Sequence, residues 1–89
     1  ERTGEKVVGF YRAYDTPLSE VDAVIETERA VYVVEVKLKA ETRDVDDLLA
    51  KANEVVKEFK GKEVVPVLAS SRAGKVVRGY AKGMNVRVW

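Results

Sequence analysis

Two valine-rich runs with very little chain between them constrain this fold most. Residues 19–26 (Ser-Glu-Val-Asp-Ala-Val-Ile-Glu) and 31–37 (Val-Tyr-Val-Val-Glu-Val-Lys) are separated by four residues. Their β-branched content reads as strand. With Glu28-Arg29 as the turn, so short a connection can only reverse the chain, since a parallel return needs a dozen residues or more. Upstream, residues 6–14 read as another strand, and Asp15-Thr16-Pro17-Leu18 supplies turn chemistry before the next. A three-stranded antiparallel meander follows. Because strand side chains alternate, Glu20 and Asp22 share one face of their strand, and Glu35 and Lys37 share one face of theirs. An apolar strand has no folding reason to collect charges at two-residue spacing. If the two faces coincide, two or three carboxylates and an ammonium converge as a candidate metal site with a lysine beside it.

Downstream the period changes. Val45, Leu48, Leu49, Ala52, Val55, Val56 and Phe59 follow the three-four spacing of an amphipathic helix over 44–60, with Thr42 or Asp44 to cap it and Gly61 to end it. Residues 63–69 read as a fourth strand, returning by a right-handed parallel crossover, with Pro66 at an edge or bulge. A second helix is expected from Ser70 or Ser71 to about Lys82, burying Ala73, Val76, Val77 and Tyr80, with Gly83 as its stop. Residues 85–89 form a short last strand. The result is a single α/β domain over 1–89, with a mixed central sheet and the order βββαβαβ.

Asp22, the thirteen-residue step to Glu35-Val36-Lys37 and the helix that follows resemble the core of the PD-(D/E)XK nuclease superfamily. The wording of the two strands is similar to small archaeal members and, more distantly, to archaeal Holliday-junction resolvases. The resemblance spans roughly Val7 to Trp89. It implies a restriction-endonuclease-like fold and Mg²⁺- or Mn²⁺-dependent hydrolysis of DNA phosphodiesters, with an endonuclease favoured. By the same resemblance Asp22 and Glu35 are metal ligands, the Val36 backbone carbonyl is a third, and Lys37 orients or deprotonates the attacking water. Glu20 would serve a second metal or replace a carboxylate from the helix with which family members usually open. That first helix is lacking from the order read here, so an uncovered apolar sheet face is expected to associate as a homodimer. The helix over 44–60 lacks the Gln-x-x-x-Tyr element of some exonuclease branches, which removes support for an exonuclease of that kind.

The chain has no Cys and no His, which excludes thiolate and imidazole ligands and histidine acid/base chemistry, and restricts any metal to hard, oxygen-bound ions. A formal charge of +1 exerts no global pull on nucleic acid. DNA would then be met by local basic groups: Arg72, Lys75, Arg78 and Lys82 as a stripe on the second helix, and Lys39 and Arg43 just past the site. The same cations also suit a solvated helix face. Ser70-Ser71 could donate to a phosphate or simply cap a helix. Phe10 is expected in the core, with Tyr11, Tyr14 and Trp89 left between packing and base stacking. Missing Gln and abundant Val, Glu and Lys suggest a heat-adapted source, and the resemblance implies an archaeal one. No apolar stretch is long enough to span a bilayer, giving the expectation of a soluble cytoplasmic protein. Two other readings stay open: strand-end ion pairs in place of a metal site, and a non-catalytic nucleic-acid-binding or assembly module on a nuclease-like fold.

Overall fold

Residues 5–89 are described by the computed structural model. The short connections act as expected: β1 (Val7–Asp15), β2 (Glu20–Thr27) and β3 (Ala30–Lys39) pair antiparallel in sequence order. Helix α1 (Thr42–Val56) carries the chain to β4 (Glu63–Arg72), parallel to β3. Helix α2 (Lys75–Gly83) leads to β5 (Arg87–Val88), parallel to β4. The five strands lie in the order β1-β2-β3-β4-β5, so the sheet is mixed and the element order is βββαβαβ.

Both helices pack on one face. Val31 and Val33 of β3 and Leu68 of β4 meet Val45, Leu48, Ala52 and Val55 of α1 and Val77 and Ala81 of α2. On the other face Ala30, Tyr32, Val34, Val65 and Val67 form a smaller cluster. The Trp89 ring lies 6.2 Å from Tyr32. The Arg87 guanidinium lies 5.9 Å from the same ring, so the chain end covers part of this face. Pro66 pairs with Val33, while β5 meets β4 only at Val67 and Leu68. Its missing N–H therefore falls where β4 has no second neighbour, the edge position expected of it.

The second half departs from expectation at three places. Strand β4 runs on to Arg72, because Lys37↔Ser70 and Lys39↔Arg72 continue the ladder with β3. Ser70 and Ser71 consequently cap no helix. Their hydroxyls donate to the Leu38 carbonyl at 3.4 and 3.2 Å. Helix α2 starts at Lys75, which removes Arg72 from the expected four-residue basic stripe. Its inner face is the i, i+4 pair Val77 and Ala81, leaving Val76 77% exposed and turning Tyr80 outward to donate to Asp46 Oδ1 at 2.6 Å. Helix α1 ends at Val56, before Phe59, and Gly61 takes φ +85° in the turn that follows.

Phe10 is not in the core; it is 59% exposed. Tyr11 and Tyr14 take the packing role, with rings 6.3 and 6.1 Å from Phe59. Strict alternation would send residues three apart to opposite faces. Yet Tyr11 and Tyr14 both reach Phe59, and on the paired strand Val21 and Val24 both enter the main core. Side-chain alternation breaks on both strands across the same step, while the pairing register is kept. Between the pairs Arg12↔Ala23 and Tyr14↔Val21, Ala13 stands opposite Asp22 with φ 51°. An alanine held there is strained, so Ala13→Gly should stabilise the domain by about 0.5–1 kcal/mol in urea unfolding and Ala13→Val should destabilise it.

Burial pushes the Tyr14 phenol up to about 12, and the hydrogen bond it donates to Glu58 Oε1 at 2.8 Å adds to the shift. A group whose folded pKa is raised contributes stability that is complete below its unfolded value near 10 and lost as pH climbs through the folded value. Melting temperature should therefore fall between pH 10 and 12 more steeply in the wild type than in Tyr14→Phe. Ultraviolet titration should show the variant losing one late-ionising phenol.

Candidate metal and phosphate site

The β2–β3 ladder runs from Glu26↔Val31 to Ala23↔Val34 and stops. One step further would bring Asp22 opposite Glu35. Beyond that point β3 pairs only with β4, through Glu35↔Leu68, Val36↔Ala69 and Lys37↔Ser70. The sheet therefore forks. At the fork Asp22 Oδ2 accepts the Val36 N–H at 2.7 Å, so a side chain takes over a donor that the ladder no longer pairs. This hydrogen bond fixes Asp22 against the residue between Glu35 and Lys37.

Glu35 is 6% exposed and lies on the helix-facing side of β3 with Val31 and Val33. A carboxylate so placed needs a partner, and Lys51 of α1 supplies it: Nζ is 2.9 Å from Glu35 Oε2 and 3.1 Å from the Glu20 carbonyl oxygen. Lys51 was absent from the sequence reading. Its signal was there, however. It sits three residues after Leu48 and four before Val55, inside the buried stripe of an amphipathic helix, where a lysine requires an anion at its tip.

Lys37 shares the helix-facing side with Glu35, as alternation requires. Its Nζ is 3.8 Å from Asp44 Oδ1 and its side chain is 46% exposed, a loose contact. Asp44 has a second task, since its Oδ2 accepts the Glu41 N–H at 2.8 Å at the start of α1. Glu20 meets the site through its carbonyl, and among the described residues no three acidic side chains gather. The site's own anions are thus the pair Asp22 and Glu35.

Each of these carboxylates keeps an open oxygen. Among the described residues neither Asp22 Oδ1 nor Glu35 Oε1 has a hydrogen-bond partner, and no buried side-chain oxygen there is left unpaired, so Glu35 Oε1 reaches solvent. Two carboxylates with solvent access suit Mg²⁺ or Mn²⁺, which accept one or two carboxylates and complete their shells with water. They do not make a zinc site.

Three of the six basic residues singled out in the sequence come together. Lys39, Arg72 and Arg78 line a shallow, open depression with Ser71. Lys39 and Arg72 are register partners, and Arg78 Nε is anchored on the Ala73 carbonyl at 2.9 Å. Lys39 is four residues past Glu35 on the same strand, or roughly 13 Å by strand rise. Arg78 and Lys82 also border a larger cleft beside Arg87 and Trp89. Arg43 is paired with Glu41 at 3.2 Å, and Lys75, the first residue of α2, does not line the depression.

No known family's sequence model matches the chain, and no curated protein matches it. Solved structures do. A repair endonuclease from Pyrococcus abyssi superposes with a TM-score of 0.76 at 18% identity, covering 96% of this chain and 37% of that one. A complex of EndoMS with double-stranded DNA gives 0.74 at 17% identity, covering 91% and 36%. A protein of unknown function gives 0.72 at 14% identity, covering 98% and 50%. These likenesses show the fold, a nuclease-like α/β domain that spans half or less of the length of each of those chains. No helix among the described residues is long and apolar enough to cross a membrane.

Removing Lys51 alone leaves a largely buried carboxylate without its counter-charge. Lys51→Met should cost about 2–3 kcal/mol in metal-free urea unfolding. The double variant Glu35→Gln, Lys51→Met should cost less than the sum of the two single changes, because the penalty belongs to the unpaired charge.

Proposed function

We propose that this chain is the catalytic domain of a Mg²⁺-dependent DNA nuclease, acting endonucleolytically, with Mn²⁺ able to replace Mg²⁺. The observation that carries the reading is the fork: Asp22 and Glu35 stand at neighbouring strand positions, each with an oxygen open to solvent, beside the exposed Lys37. Asp22, Glu35 and the Val36 carbonyl would hold the ion. When bound, Mg²⁺ supplies Lewis acidity toward a phosphoryl oxygen and makes water a nucleophile near neutral pH.

The protein's own part is orientation and charge. The Val36 N–H aims Asp22, and Lys51 offsets the charge of Glu35 and holds it in place. Lys37, tethered only loosely to Asp44, is free to turn toward a scissile phosphate, where it orients the attacking water and offsets developing negative charge. Lys39, Arg72 and Arg78 give the DNA backbone a second hold roughly 13 Å along the strand. That one structural neighbour is a complex with double-stranded DNA supports this choice of partner. Val36 and Leu38, 61% and 77% exposed on the face of β3 away from the helices, favour self-association as a homodimer. A DNA substrate places the domain in the cytoplasm.

A second reading rests on the ammonium already seated on Glu35 and on the lack of a third carboxylate: a DNA-binding module that does not cut. Cleavage separates the two. Branched, single-stranded and duplex DNA are incubated in Mg²⁺ or Mn²⁺, and Asp22→Ala and Lys37→Ala should each lose at least about a hundredfold in rate. Unchanged cleavage in either variant overturns the assignment of that residue. DNA binding without cleavage, indifferent to metal, favours the module. Lys39→Ala with Arg72→Ala should weaken binding across sequences and lower the salt slope by about two.

A further inference from the structure

The fold contains the same device twice. At one end of the β2–β3 pair, Lys62 Nζ bonds Glu26 Oε2 at 2.5 Å and the Thr27 carbonyl at 2.8 Å. At the other end, Lys51 Nζ bonds Glu35 Oε2 and the Glu20 carbonyl. Each lysine ties a strand carboxylate to a backbone carbonyl of β2. The two carboxylates nevertheless differ. Glu26 has both oxygens engaged, Oε1 by the Tyr11 hydroxyl at 3.3 Å and Oε2 by Lys62. Glu35 keeps one oxygen open, and Asp22 stands beside it at the fork. Glu26 and Lys62 form a closed structural clamp. Glu35 and Lys51 form an open one.

We propose that Lys51 is the fork's resident cation, and that its ammonium and a divalent ion compete for the charge of Glu35, so that Lys51 sets the metal affinity. The inference rests on the metal-site reading above and adds to it a residue outside Asp22, Glu35 and Lys37. A positive charge bonded to one oxygen of Glu35 opposes a second cation on the other oxygen by Coulomb repulsion, and it withdraws part of the anionic charge that would hold that cation. Both effects have the same sign. An ammonium also has only three donors and a flexible stem, so it can leave Glu35 for the Glu20 carbonyl and solvent when a divalent ion arrives. Lys51 is on this view a positioning residue. In the metal-free protein it gives a buried carboxylate its counter-charge and keeps it aimed at the fork, and it limits occupancy to conditions where the cation can displace it.

The test measures Mn²⁺ binding by the paramagnetic resonance of free Mn²⁺ and by calorimetry, on the whole chain, with no DNA and no turnover. Lys51→Gln keeps an amide that can donate to both Glu35 and the Glu20 carbonyl while removing the charge, and it should bind Mn²⁺ about tenfold tighter than the wild type. Lys51→Arg, which keeps the charge, should stay within about threefold of the wild type, and so should Lys62→Gln at the closed clamp. Mn²⁺ should also raise the melting temperature of Lys51→Gln more than that of the wild type, and adding Glu35→Gln should abolish the gain. A measurable wild-type affinity that Lys51→Gln leaves unchanged overturns the role of Lys51 and leaves the metal site standing. No binding to either protein up to about 10 mM Mn²⁺ overturns the metal site and the competition together. Should Lys51→Gln fail to fold, the wild type alone decides. Mg²⁺ that perturbs the Glu35 carboxyl resonance must also perturb the Lys51 ammonium, and an unmoved Lys51 overturns the proposal.

Discussion

A carboxylate enclosed among valines is the constraint around which this domain is arranged. Glu35 sits on the same side of β3 as Val31 and Val33, both fully buried, so its charge is tolerable only if a cation reaches it. Lys51 does so from α1, and its second bond, to the Glu20 carbonyl, draws in the first residue of β2. One ammonium thereby sets the position of helix, central strand and diverging strand relative to each other. Buried pairs of this kind yield little net stability, because desolvation offsets most of the attraction. A hydrophobic pair would hold α1 on the sheet at least as firmly. What Glu35 and Lys51 add is a defined charge at a defined place.

The fork depends on a second local feature. Where β2 leaves β3, the Val36 N–H needs an acceptor, and Asp22 can provide one only if β2 turns its side chain toward β3. The break in alternation opposite Ala13 goes with this. Where Ala13 adopts φ 51°, Val21 and Val24 both face the core, and Asp22 between them reaches the fork. Backbone strain at a non-glycine residue persists only where its surroundings enforce it. Here it lies directly across the ladder from the acid that closes the fork, which accounts for its retention in an otherwise regular strand.

Much of this was legible from the chain. Turns of a few residues forced the meander, and the three-four spacing of Val45, Leu48, Ala52 and Val55 fixed the inner face of α1. Asp22, Glu35 and Lys37 were visible because charged residues interrupt apolar strands. Three things escaped, each for a physical reason. Ser70 to Arg72 read as a helix start because Ser favours caps, but nine ladder pairs with β3, eight of them consecutive, outweigh that preference. Alternation is a local rule and could not foresee a break that two paired strands share, so Phe10 was expected in the core while Tyr14 was left between packing and stacking. Lys51 was hidden by its type. A lysine in a helix is read as solvated surface, and only the coincidence of its position with the buried stripe reveals that its tip must lie at an anion.

Charge at the fork then links the site to the basic depression beyond it. Asp22 and Glu35 carry two negative charges and Lys51 returns one, while Lys37 is balanced by Asp44 at the helix start. The fork by itself is therefore mildly anionic, attractive to a cation and repellent to a phosphate. A DNA backbone could approach it only with help from outside, and the nearest help is the group of Lys39, Arg72 and Arg78 at the ends of β3 and β4. Since Lys39 follows Glu35 on a single rigid strand, the separation between phosphate hold and candidate metal seat is set by strand geometry and not by loop flexibility. A nuclease needs a substrate held at a fixed distance from its cutting point. On the proposed nuclease reading, the continuation of β3 past the fork, paired only to β4, would set that spacing.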